Sequence, residues 1–286
     1  MSAIRIPNWV DTCDHKFGSY WEIPGDVFTQ INGRLKRLQS NAPSVSIVIA
    51  AWNEEVNILN CIDSLSRMET VLPLEIIVVN NNSTDHTDLT LKRLDVRTFL
   101  QPIQGPGPAR ELGQQQSRGK YILLADADCL YPPTWVDDMI GVLKKPEVVC
   151  AYGRYSFLPD EKYPRWKLYL FEKMKDMIAE LRHFKRPYLN AYGMSMGYIA
   201  ANGRAIGFVD HNIRGEDGRM CFDLMKFGKI KQMKANRSRV WTAPRTLQSE
   251  GSFAKVLFNR IRKEIKRLFS LFRPLPEHDT KTSENY

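Results

Sequence analysis

No run of about 18 consecutive apolar residues occurs in the 286-residue chain, so no membrane-spanning helix is predicted. The first residues, Met-Ser-Ala-Ile-Arg-Ile-Pro-Asn-Trp-Val-Asp, lack the apolar core of a secretory signal, and none is expected. Cysteine is sparse. Cys13, Cys61, Cys129, Cys150 and Cys221 are scattered, odd in number and never spaced Cys-x-x-Cys, which argues against a disulfide framework and a structural zinc site. A reducing, cytoplasmic setting is expected. Internal repeats and low-complexity stretches are also missing.

What is present is ordinary for a globular protein: 43% hydrophobic and 26% charged residues, enough chain for one large domain or two small ones. The net charge of +9 is not spread evenly. Between Glu250 and Arg273 there are seven Lys/Arg and two Glu, so seven minus two places +5 in that one segment. Basic charge confined to a tail argues against a nucleic-acid groove, and no nucleic-acid partner is expected.

From residue 42 the pattern becomes regular. Val45–Ala50 and Leu74–Val79 are short β-branched apolar runs, the mark of strands buried on both faces. Val96–Leu100 and Tyr121–Ala125 read as further strands. Helical spacing covers Glu54–Met68, Thr84–Leu94 and Pro108–Ser117 between them. Strands alternating with helices predict an α/β fold with a parallel sheet, whose ligands bind beyond the carboxyl ends of the strands. Farther on, helices are predicted over Pro133–Leu143, Pro164–His183 and Glu216–Phe227, with an extended stretch at Val148–Phe157. In Pro164–His183 the stripe Trp166, Leu170, Met174, Met177, Ile178 and Leu181 reads as core packing. Residues 1–41, rich in aromatics, read as an extension packed on a domain spanning 42–240. Residues 241–286 read as a basic amphipathic C-terminal helix and tail, with Phe253, Val256, Leu257, Ile261, Ile265, Leu268 and Phe272 on one side. Its pattern predicts peripheral contact with an anionic membrane on the cytoplasmic face; the plainer alternative is a helix packed on the domain.

Four constellations carry chemistry. Asp126-Ala127-Asp128 follows an apolar strand, and residues two apart on a strand point to one side. Two such carboxylates repel unless a cation lies beside them, and a hard divalent ion, Mg²⁺ or Mn²⁺, suits oxygen ligands. A turn after a strand also favours Asp, so this motif alone is weak. Gly215-Glu216-Asp217-Gly218 opens a helix. Acidic residues suit a first turn, but one of them could serve as a general base. Asn80-Asn81-Asn82-Ser83-Thr84-Asp85 reads either as a capped strand-to-helix turn or as a nucleoside-recognition loop. Gly105-Pro106-Gly107-Pro108-Ala109-Arg110 shapes a helix entry, where an N-terminus and an Arg attract phosphate.

Taken together, in their order and spacing, these motifs resemble the family 2 inverting glycosyltransferases of the GT-A fold. Pro43–Glu55 looks like that family's opening strand and Asn-Glu turn. Glu75–Thr87 looks like its second strand and acidic loop, Ala109-Arg110 and Arg118–Asp128 like its helix and D-x-D strand, and Gly215-Glu216-Asp217 like its catalytic acid pair. The resemblance spans roughly residues 43–230. It implies a mostly parallel central sheet flanked by helices, followed here by the amphipathic tail.

The resemblance also implies roles. Asp128 would bind the metal with help from Asp126. Asp217 would be the base, with Glu216 beside it. Ala50, Trp52, Asn53 and Glu54 would line the nucleoside pocket, with Asn80, Asn82, Arg110, Asp126 and Ala127 completing the donor-binding set. One position departs: the family usually has Asp where Asn80 stands, which leaves the nucleobase open, uridine first and guanosine second. The expected donor is therefore a nucleoside-diphosphate sugar, and the acceptor a glycan or a lipid-linked molecule. Tyr192–Gly197 would face the acceptor or simply pack. Arg245 could close over the donor. A nucleotidyltransferase is the nearest rival, but it would want a Gly-rich basic loop after the first strand, where this chain has Ala50-Ala51-Trp52-Asn53-Glu54. A non-catalytic nucleotide-sugar-binding protein is the other alternative, and intact Asp126, Asp128 and Asp217 argue against it.

Overall fold

The structure is a computed structural model, described here for residues 4–212 and 215–245. The elements run α1 (Asn8–Asp11), α2 (Gly25–Leu38), β1 (Val45–Ala51), α3 (Asn57–Ser66), β2 (Leu74–Asn80), α4 (Thr87–Lys92), β3 (Arg97–Leu100), α5 (Pro106–Gln116), β4 (Tyr121–Asp126) and β5 (Cys129–Leu130). There follow α6 (Trp135–Leu143), β6 (Val148–Tyr152), β7 (Tyr155–Phe157), α7 (Arg165–Lys185), β8 (Met196–Ile199), α8 (Ala200–Ile206), α9 (Glu216–Leu224), β9 (Lys229–Gln232) and β10 (Val240–Thr242). The C-terminal amphipathic segment predicted from the sequence lies outside the described residues.

Seven strands form the main sheet in the order β3-β2-β1-β4-β8-β6-β9. It is mostly parallel; only β8 runs against its neighbours β4 and β6. Every residue of β2 and nearly every residue of β1 is buried, because helices cover both faces. That is why these strands are continuous apolar runs rather than alternating ones. The chain leaves β1 toward β2 and β3, then returns to place β4 on β1's other side. The order reverses there, which opens a crevice at the carboxyl ends of β1 and β4. In the register, Ala50 pairs with Asp126 and Ala51 with Asn80, so three loop sequences singled out above meet at one sheet edge. A second, small sheet joins β5, β10 and β7.

The opposite end of the sheet is held by a buried carboxylate. Glu75 accepts hydrogen bonds from the Ser46 hydroxyl (2.6 Å), the Arg118 backbone N–H (2.7 Å), Arg118 Nε (3.0 Å) and Arg97 (2.5 Å). Burial disfavours its charge, but these donors outweigh burial and hold Glu75 below its ordinary pKa. Asp63 on α3 plays a similar part for the N-terminal residues. It receives His15 (2.9 Å), Arg67 (2.9 Å) and Arg34 from α2. Burial again opposes ionisation, and the His15 and Arg67 hydrogen bonds with the Arg34 charge overcome it, so its pKa is lowered. Helix α2 lays Phe28, Ile31 and Leu35 into the core beside α3, one turn apart as amphipathic spacing requires.

One expectation holds only in part. The apolar stripe of α7 packs only in part: Met174 and Ile178 are half-buried, with Met174 against the cluster that holds Phe157 and Phe171, but the rest of the stripe faces out. Trp166, Leu170, Met177 and Leu181 are 53–61% exposed, and Phe184 continues the line at 96%. The face turned inward carries Leu168 and Phe171 together with Glu172, Asp176 and Arg182. Those carboxylates are buried because arginines meet them: Arg165, on the first turn of the same helix, holds Glu172, and Arg239 from the distant loop before β10 holds Asp176. With its acids satisfied inside, the helix rests on its mixed face and leaves the apolar one outside.

Candidate active site

The loops after β1 and β2 lock together. Asn53 and Asn82 both adopt left-handed backbone conformations (φ 55° and 57°), which Asn tolerates better than most residues. The Asn53 N–H donates to Ser83 Oγ (3.0 Å), and Asn53 Oδ1 accepts from the Thr84 N–H (2.8 Å). The Glu54 N–H donates to Thr87 Oγ1 (2.8 Å). Asn80 Oδ1 accepts from the Ser83 N–H (3.0 Å), leaving its amino group as its other polar atom. Asn81 is fully committed to the fold: it accepts from the Gly105 N–H (2.7 Å) and donates to the carbonyls of Gln101 and Ile103. Asn82 and Trp52 are exposed at the rim.

Asp126 ends β4, and Ala127 and Asp128 follow, with Ala127 buried. Carboxylate oxygens of Asp126 and Asp128 and the Cys129 sulfur lie within 4.8 Å of one another. Burial first, then repulsion from Asp126 and Glu54, push the Asp128 pKa up to about 6. Among the described residues its cation partner is Arg245, at 3.7 Å, and Arg245 is engaged by Glu54 at 2.8 Å. A site that crowds carboxylates and raises a pKa is one that a divalent cation would relieve. Burial, with the Asp128 and Asp126 charges adding, holds the Cys129 thiol pKa well above the ordinary value, and sulfur is a softer donor than Mn²⁺ or Mg²⁺ prefers. The remaining donors are oxygens, which fit Mn²⁺ or Mg²⁺.

The acid pair comes from 90 residues farther along the chain and reaches the same place. Arg110, on α5 and 4% exposed, donates to Glu216 and Asp217 through Nη1 and to Asp126 through Nη2 (2.9 Å). Three carboxylates hold its pKa raised against the effect of burial. Arg110, expected to attract phosphate, here turns Nη1 and Nη2 to carboxylates. Its partners lie far away in sequence and could not be read from its own loop. The second oxygen of Asp217 accepts the Gly193 N–H (2.7 Å). Burial raises the Asp217 pKa to about 7, with Arg110 opposing and Glu216 and Asp126 adding to the rise.

Gly193 was not singled out as a site residue on its own. A Cβ there would overlap the Arg110 guanidinium, so only glycine admits this close approach. The segment around it is pinned by Tyr131, just after β5, and by Trp135 of α6. Tyr131 Oη donates to the Met194 carbonyl (3.0 Å) and accepts the Asp126 N–H (2.8 Å), and Trp135 Nε1 donates to Ser195 Oγ (3.0 Å). The structure thus gathers Asp126, Asp128, Glu216, Asp217, Arg110 and Glu54 around one crevice, with Arg245 at its edge.

The mostly parallel sheet with its switch-point crevice has the GT-A fold. The model of the glycosyl transferase family 2 matches residues 46–210, and the chain belongs to that family. An uncharacterised glycosyltransferase of Haemophilus influenzae is 33% identical over 128 residues, 43% of this chain and 39% of its own length. The chain therefore spans about two fifths of that relative. Among solved structures, glucosyl-3-phosphoglycerate synthase from Mycobacterium tuberculosis, in complex with Mn²⁺, UDP-glucose and phosphoglyceric acid, is similar with a TM-score of 0.54 at 18% identity, covering 86% of each chain. The mannosyltransferase PcManGT from Pyrobaculum calidifontis, in complex with GDP-Man and Mn²⁺, has a TM-score of 0.51 at 16% identity, covering 73% of this chain and 64% of that one. At these identities the likeness is one of fold.

Proposed function

We propose that the chain transfers a sugar from a nucleoside-diphosphate sugar to an acceptor hydroxyl by a single displacement that inverts the anomeric centre. The observation that carries this reading is the convergence of Asp128, crowded by Asp126 and Glu54, and the half-buried Asp217, with a pKa near neutrality, on one crevice. Asp128, assisted by Asp126, would hold Mn²⁺ or Mg²⁺. A metal there supplies charge neutralisation for the diphosphate leaving group. Asp217 takes the proton of the acceptor hydroxyl while that oxygen attacks the anomeric carbon. The bond from that carbon to the diphosphate breaks, and the nucleoside diphosphate leaves with the electron pair. A carboxylate titrating near pH 7 is a stronger base than an ordinary one and is still ionised in part at that pH.

Arg110 and the Gly193 N–H hold the two oxygens of Asp217, so the base cannot turn away from the crevice. Glu216 shares Arg110 and keeps it aligned. Ala50, Trp52, Asn53, Glu54, Asn80 and Asn82 surround the nucleoside. The amino group of Asn80 donates to a carbonyl of the base, which uracil offers first and guanine second. The acceptor is a glycan or a lipid-linked molecule. It approaches past Tyr192, which lines a cleft with Tyr155, Arg154, Lys175 and Arg182 beside Gly193.

The test is a thermal-shift panel of nucleoside diphosphates and nucleotide sugars with and without Mn²⁺. A ligand that binds only the folded state must raise the midpoint. Metal-dependent stabilisation by one nucleotide, lost in Asp128→Ala, is the expected result and names the base. A flat panel at millimolar nucleotide would refute the reading.

A further inference from the structure

Among the described residues, no helix is long and apolar enough to cross a membrane, and α7 carries five of their exposed large apolar side chains. Trp166, Leu170, Met177, Leu181 and Phe184 follow one another by four, seven, four and three residues. At 100° per residue they fall within about 60° of arc, in a straight line about 27 Å long. Of the seven exposed positions on this helix, five are these large apolar residues and the other two are Lys173 and Lys185.

The charges of α7 are sorted by side. Its acids Glu172 and Asp176 are buried against arginines, and Glu180 is engaged by Arg154 and by Lys234 (2.5 Å). No unpaired carboxylate of the helix is left on the outer face. Of its basic groups Arg165, Lys175 and Arg182 turn inward, while Lys173 lies in the stripe itself, Lys167 and Lys185 flank it, and Lys231 is exposed on β9 close to His183.

We propose that this face of α7 docks on an anionic lipid surface, with the helix lying in the plane of the headgroups. The chemistry favours a bilayer over other occupants. A single convex row suits a plane better than a groove. Trp166 sits at one end, where an indole prefers the interface. Lys173 interrupts the row near its middle. In a self-paired dimer it would be buried close to its own copy, whereas at a bilayer its long stem lies along the apolar surface and its ammonium reaches the phosphates. Inserted apolar side chains and basic groups at headgroup level reinforce each other in such binding. The surface is independent of the active-site reading, and it differs from the C-terminal segment.

The experiment is co-sedimentation of the full chain with vesicles of phosphatidylcholine containing about one third phosphatidylglycerol, against phosphatidylcholine alone. Wild type is expected to partition into the anionic vesicles. The triple variant Leu170→Ser/Met177→Ser/Leu181→Ser is expected to partition about 100-fold less, with the tail unchanged. Lys173→Glu/Lys185→Glu is expected to lose at least about 10-fold at low salt. The thermal midpoint of the triple variant without lipid is expected to equal or exceed that of wild type. Undiminished partition of the triple variant would overturn the proposal. So would a lowered midpoint, which would mean that part of the chain covers the stripe. A dimer in sedimentation that the triple variant dissociates would assign the face to a second copy instead.

Discussion

Replacing Gly193 by alanine adds one methyl group at the tightest point of the site. The new Cβ would overlap Nη2 and Cζ of Arg110 and lie 2.9 Å from Nη1. The end of an arginine usually swings aside at little cost. Here it is buried and held by Asp126, Glu216 and Asp217, so it has nowhere to go. If Arg110 gives way, buried ion pairs are broken, at a cost of about 3–5 kcal/mol. If the backbone at 193 gives way, the charged hydrogen bond to Asp217 is lost, at about 1.5–3 kcal/mol. The cheaper response wins, so Gly193→Ala should destabilise by about 2–3 kcal/mol and lower the thermal midpoint by about 5–10 °C. Turnover should fall further than stability, because either response moves the base. The control is Gly33→Ala in α2, where a Cβ meets nothing within 4 Å and a mid-helix glycine is already unfavourable; it should be neutral or stabilise by about 0.5–1 kcal/mol. Calorimetry and a nucleotide-release assay on both variants settle the matter. Gly193→Ala with wild-type midpoint and turnover would refute the account of Arg110 as a clamped group.

Asp217→Asn should reduce transfer about 10²–10⁴-fold while leaving the nucleotide-induced thermal shift nearly intact; loss of that shift would mean that Asp217 serves donor binding instead. Since Asp217 must be ionised to accept a proton and its pKa is raised to about 7, kcat/KM should fall as pH drops through about 7, and a rate flat down to pH 5 would contradict the assignment. Asp63 and Glu75 add an acid dependence of stability. Both are lowered in the folded state, so their contribution is complete above the ordinary carboxylate pKa and is lost as pH falls through their folded values. Denaturant melts between pH 7 and pH 3 should show this loss, with a shallower acid slope in Asp63→Asn. That variant should also release the N-terminal residues to protease before the core, because His15 and Arg34 lose their common partner.

Much of the fold was legible because it is written locally. A strand covered on both faces must be apolar throughout, so β1 and β2 stood out, and their boundaries were met within a residue. The strand β8 was not foreseen: four residues, Met196–Ile199, carry too little pattern to mark a strand wedged between β4 and β6. The stripe of α7 shows the limit of periodicity. Amphipathic spacing reveals that a helix has an apolar side but not which side faces in. That was decided by Arg165 and Arg239, which make burial of Glu172 and Asp176 affordable.

The site divides in the same way. The D-x-D turn, the Asn-Glu turn and the acid pair could be named from their types, order and spacing, since each sits where a strand or helix ends and such ends face the ligand. What binds them into one site could not be. Arg110 meets Glu216 and Asp217 across 106 and 107 residues, and Gly193 is needed only because that guanidinium passes against it. The sequence by itself determined the family, the order of the strands' signals and the residues with reactive chemistry, because these are local properties of short segments. Tertiary structure alone decided which carboxylates share a cation, which crowd one another, and which face of α7 meets the solvent, because burial and charge pairing exist only once distant segments are brought together.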